Sequence, residues 1–170
     1  MADKREQLLA YVASLLATLP NLGKAANGSP AVYRDRGGVL EENKPACVLL
    51  DGIERTESIV KPLNVVKFPP AIVGLMPQIF VMMRMRDEAD NTTLDGQPNP
   101  IGPEISSWRA QIIALLAQDE NLAAMLGPNG RVEFRGSDTD MQTGSTMGVE
   151  GAVLQLNFAL FYVLDPSQLP

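Results

Sequence analysis

The chain has 170 residues, one cysteine, no histidine, and twenty acidic against fourteen basic side chains, for a net charge of −6. That length suits one ordinary domain spanning residues 1–170; the lone cysteine excludes a disulfide framework, and the lack of histidine removes the commonest general base, triad partner and metal ligand. Basic residues occur singly or beside acids, as in Arg34-Asp35-Arg36, which disfavours direct recognition of nucleic acid, and no apolar run approaches the roughly 18 residues that span a bilayer.

Leu8, Leu9, Val12, Leu15, Leu16 and Leu19 recur at helical spacing, so residues 3–19 read as an amphipathic helix that Pro20 ends. Asp3 with Glu6 three residues later resembles a capping box at its start. No basic stretch followed by an apolar run and a cleavage site precedes it, so cytosolic synthesis is expected. AVYRDR and PACVLLDG then read as two strands that pair across the turn GGVLEEN, and Cys47 in the second suits a small buried thiol. Residues 52–77 alternate β-prone pieces with Pro62, Pro69, Pro70 and Pro77. Proline confines a strand to an edge or breaks it, so an irregular edge excursion is expected there.

QIFVMMRMR is a strand with Ile79, Val81, Met83 and Met85 on one face and Phe80, Met82, Arg84 and Arg86 on the other. A long polar loop over 87–103 leads to a helix opened by Glu104, with Ile105, Trp108, Ile112, Leu115 and Leu116 as its core stripe. A short helix follows from Asp119, its N-cap, to Leu126, with Gly127 past its end. RVEFR is a strand, and VEGAVLQLNFALFYVLDP is the longest one, with Leu154, Leu156, Phe158, Leu160, Tyr162 and Leu164 on one face. Between them GSDTDMQTGSTMG, residues 136–148, is far longer than a usual hairpin connection and too polar to be buried, so it reads as a projecting loop. The order predicts an α+β fold, an antiparallel or mixed β-sheet with helices packed on one face and long projecting loops.

Without histidine, glycosidase or divalent-metal chemistry can still run on carboxylates alone. Glu41-Glu42 falls in a turn, Asp119-Glu120 at a helix start, and Asp87-Glu88-Asp90 in the polar loop, each with an ordinary solvated or capping role. Asp138-x-Asp140 opens like a calcium loop, but Thr143 and Val149 stand where glycine and glutamate belong. Neither phosphate-binding pattern is present. No catalytic residue, cofactor or metal site is expected, and Met82 is the methionine best placed for a pliable contact surface.

KPACVLLDG, MPQIFVMMR, ISSWRAQIIALLA and the closing series GRVEFRGSDTDMQTGSTMGVEGAVLQLNFALFYVLDP together resemble the tail-terminator and tail-completion proteins of long-tailed bacteriophages (siphophages) and gene-transfer particles. The resemblance runs from residue 45 onward and carries no catalytic signature. It implies a non-enzymatic virion protein of the neck: a homo-oligomeric ring, commonly hexameric, that caps the tail tube protein, ends tube growth and meets the head-tail connector protein. DNA would pass through its lumen without sequence-specific binding. In that reading Met82, Arg84, Arg86, Arg135, Asp138, Asp140, Met141 and Met147 are candidates for subunit or tube contacts, and Gly144 and Gly148 allow the bends of a 136–148 tip that orders on contact. The alternatives are a head-side adaptor or stopper of the neck, a carboxylate-based enzyme using Asp138 and Asp140, and a ligand-binding domain with the Met82 face as pocket wall.

Overall fold

A computed structural model describes residues 3–59, 70–85, 101–144 and 149–165 of the chain. Helix α1 (Lys4–Leu16) is followed by strand β1 (Val32–Arg34), a 3-10 turn (Glu41–Asn43), β2 (Ala46–Ile59), β3 (Ala71–Met82), helices α2 (Gly102–Gln118) and α3 (Glu120–Leu126), and strands β4 (Arg131–Gly144) and β5 (Val149–Leu164). The strands form one mixed sheet in the order β1-β2-β3-β5-β4, with β1 parallel to β2 and every other neighbour antiparallel. All three helices pack on one face, so the fold is α+β as its element order predicts.

The core lies between helices and sheet. Leu8, Leu9, Val12 and Leu16 of α1 and Trp108, Ile112 and Leu116 of α2 meet Cys47, Leu49, Ile79, Val81, Leu154, Leu156, Phe158 and Leu160. Each fully buried leucine contributes about 2 kcal/mol, against about 1 kcal/mol for a helix cap. The apolar stripe therefore decides α1, and the capping box is dispensable. Indeed it does not form: the Asp3 side chain makes no cap hydrogen bond, and Glu6 pairs instead with Arg34 of β1. At α3 the cap is real. The Asp119 carboxylate accepts from the Leu122 N–H at 2.6 Å and from the Tyr11 hydroxyl at 3.1 Å, tying α3 to α1, and Gly127 closes the helix at φ +87°.

Two stretches differ from expectation. The excursion expected at a sheet edge is, where described, interior sheet interrupted by bulges: β2 runs on to Ile59 and β3 starts at Ala71, and the two pair with register shifts between Leu50 and Ile53 and between Thr56 and Ser58. Pro77 sits inside β3, a central strand between β2 and β5. It is tolerated because the ladder skips there on both sides, from Ile53↔Met76 to Leu50↔Gln78 and from Leu75↔Leu160 to Gln78↔Asn157, so no neighbour asks for its missing N–H. Pro62 and Pro69 lie outside the described residues.

The projecting loop at 136–148 is likewise mostly strand. β4 continues to Gly144 and pairs β5 from Arg131↔Phe161 to Gly144↔Val149. Ser137, Asp138, Thr139 and Asp140 are exposed because β4 is an edge strand, and a strand wet on both faces carries no apolar alternation. Residues 145–148 and most of the expected 87–103 loop lie outside the described residues.

Cys47 is fully buried, and burial pushes its thiol up to about 12. Since the thiolate is the nucleophile, alkylation by iodoacetamide at pH 8 is expected to be at least about a thousandfold slower in the native protein than in denaturant. Mass spectrometry of timed samples checks this, and rapid native labelling would contradict the burial.

Candidate functional site

Paired residues share a face of a sheet, so the register shows what the helix-free side carries. One row runs Tyr33–Val48–Phe80–Gln155–Asp138 and the next Ala46–Met82–Val153–Asp140; nearer the middle lies Leu50–Gln78–Asn157–Gly136, and beyond it Arg55–Gly74–Phe161–Arg131. This open face is therefore apolar along its centre and charged along the β4 edge. Val48, Ala159 and Phe161 are buried on it, while Leu50, Met76, Phe80 and Met82 are half-buried.

A crease crosses it. On β2 the two residues Asp51 and Gly52 stand opposite the single Pro77; on β4 Arg135 is an extra residue between Phe134↔Phe158 and Gly136↔Asn157. These bulges fall at one level across the sheet, with the interrupted β3–β5 pairing between them. Gly52 adopts φ +68°, a conformation that favours glycine. Along the crease lies a cavity of about 330 Å³ whose wall is mainly Ile53, Met76, Pro77 and Phe158, with Gln78, Asn157 and Arg135 as its polar members.

Those polar members are already organised. The Asn157 side-chain oxygen accepts from Gln78 Nε2 at 3.2 Å and Gln155 Nε2 at 3.0 Å. Arg135 pairs with Glu133 at 2.7 Å and lies 5.6 Å from the centre of the Phe161 ring, over which Arg131 stacks at 3.9 Å. The hydrogen bond from Arg131 leads in holding the Glu133 carboxyl below the usual carboxylate range. A shallower groove of about 450 Å³ on the helix side, between the end of α1 and α2, carries no charged side chain except Asp119, which already caps α3.

The sheet brings some of the sequence candidates together. Met82 and Asp140 lie in one row of the open face, Asp138 lies in the next row toward the crease, and Arg135 is the bulge residue at the crease itself. Arg84 is exposed just past the end of β3. The backbone of Met141 pairs with Ala152 and that of Gly144 with Val149, so both are strand positions, not parts of a loop tip. Arg86, Met147 and Gly148 lie outside the described residues. Sequence reading missed Ile53, Met76, Gln78, Asn157 and Phe158; the available signal was Gly52, Pro77 and Gly136, each a backbone irregularity within a β-prone run.

Among the described residues no group of three or more histidine, cysteine, aspartate or glutamate side chains could hold a metal ion, and no helix is long and apolar enough to cross a membrane. No protein-family model matches the chain, and no curated protein sequence matches it.

Proposed function

We propose that this chain is a structural assembly subunit that closes into a ring on the end of a phage tail tube, stops tube growth and offers its other side to the head connector. The observation that carries the reading is the helix-free face of the sheet: half-buried Leu50, Met76, Phe80 and Met82 and exposed Ile53, bounded by a charged edge strand, with all three helices on the opposite side. Partly exposed apolar side chains gathered on one face mark a place where another protein packs. The sequence resemblance supplies the kind of assembly, and the crease supplies an asymmetric feature suited to the head-to-tail contacts that rings require. In this reading the ring belongs to the virion neck, and DNA passes its lumen without base-specific contact, in keeping with the acidic charge.

The test is to add the purified protein to assembling tail tube protein and image the product by negative stain. The expected result is ring-shaped density at one end of tubes whose mean length falls as the protein is added. Unchanged tube lengths and bare ends at a molar excess would overturn the proposal.

A further inference from the structure

Two large hydrophobic side chains stand out as exposed among the described residues: Leu40, 58% exposed, and Ile53, 51% exposed. Ile53 is on the rim of the crease cavity. Leu40 is elsewhere, at the start of the 3-10 turn between β1 and β2, and that turn is pinned from several sides. The Asn43 N–H donates to the Leu40 carbonyl at 3.0 Å, and Asn43 Nδ2 to the Lys24 carbonyl at 2.6 Å. Glu41 pairs with Lys44 at 2.8 Å and accepts the Met85 N–H at 2.6 Å. Glu41 is thus consumed by the turn, whereas the adjacent Glu42 is exposed. The result is an apolar knob held out on a rigid base with a carboxylate beside it.

The crease cavity has the opposite character. Its wall is apolar, about 330 Å³ is ample for one branched aliphatic side chain, and the charged side chain on its rim is Arg135, which pairs with Glu133 and is still about half exposed. Knob and socket match in polarity, and Glu42 and Arg135 are opposite in charge. We infer that the crease of one copy receives Leu40 of a second copy, with Glu42 of that copy paired to Arg135. Because knob and socket are different surfaces of the same chain, the contact is heterologous, so each copy that accepts a neighbour also offers its own knob to the next, and a closed ring or an open filament results. The pinned turn and the framed cavity leave little ordering cost on association. This rests on the reading of the chain as a ring subunit, and it names the contact that builds the ring.

Charge reversal and trapping test it together. Arg135→Glu or Glu42→Arg alone is expected to weaken self-association by at least about tenfold, and the double variant with both charges exchanged to recover most of the loss. Glu42→Cys chains mixed with Arg135→Cys chains are expected to form a disulfide-linked dimer under mild oxidation, with neither variant doing so alone; Cys47 is buried and stays out of the reaction. Leu40→Asp should abolish association while leaving the melting temperature unchanged, since Leu40 makes no core contact. The inference is overturned if the single charge variants associate like the unaltered chain, if the mixed cysteine chains do not cross-link, or if the unaltered chain stays monomeric at about 100 µM. Rings that cap tubes without the Glu42–Arg135 cross-link would sink this contact and leave the tail-terminator reading standing. Cross-linked rings that ignore tubes would do the reverse.

Discussion

Gly52→Ala is expected to destabilise the protein by about 3 kcal/mol, an unusual cost for a change at an exposed position. At φ +68° any L side chain is strained, which accounts for roughly 1 to 2 kcal/mol. The rest comes from contact. A Cβ at Gly52 would stand 1.8 Å from the Met76 carbonyl oxygen and 2.7 Å from its carbon, and these are backbone atoms of the central strand that cannot rotate aside. Relief requires β2 to move off β3 at the crease, loosening the pairings that flank it at Leu50↔Gln78 and Ile53↔Met76. Gly38→Ala is the control: the position is exposed, a Cβ there would meet nothing within 4 Å, and stability should change by less than about 0.5 kcal/mol. Urea melts of the two variants decide the matter, and a Gly52→Ala midpoint equal to that of Gly38→Ala would show that the bulge is not as rigid as its geometry requires.

The same residues explain how far the sequence could be read. Helical stripes such as Leu8-Leu9-Val12-Leu15-Leu16 and Trp108-Ile112-Leu116 were legible because a period of 3.6 survives whenever one face is buried. The alternation of Ile79, Val81 and Met83 against Phe80 and Met82 was legible for the same reason at period 2. β4 beyond Arg135 was not, because an edge strand exposed on both faces has no apolar signal and owes its conformation to the partner strand β5. Pro77 misled in the other direction: local chemistry argues against a central strand, and only the coincidence of a β2 bulge and a gap in the β3–β5 ladder removes the objection. The crease cavity is further still from local reading. It is assembled from Gly52-Ile53, Met76-Pro77-Gln78, Arg135 and Asn157-Phe158, four segments that become neighbours only through the strand order β2-β3-β5-β4.

Phe158→Ala is expected to cost about 4 kcal/mol, lowering the melting temperature by roughly 10 °C. Phe158 is 2% exposed on β5, the strand flanked by both β3 and β4, and its ring packs against Phe134 with centres 5.5 Å apart at 58°. It also contributes to the wall of the crease cavity. Truncation therefore removes core contacts on the helix side and extends the existing cavity inward, so the surroundings have an opening to collapse toward only by disturbing the crease. Phe158→Leu keeps most of the volume and should lose about 1.5 kcal/mol or less. The pair separates core packing from the crease. Phe158→Leu should fold nearly as well as the unaltered chain and associate as it does, because a side chain 2% exposed in the core does not meet an incoming one. Calorimetry gives the first quantity and sedimentation at equal concentration the second; a Phe158→Ala variant that melts within about 2 °C of the unaltered chain would mean that β5 is not the centre of the core.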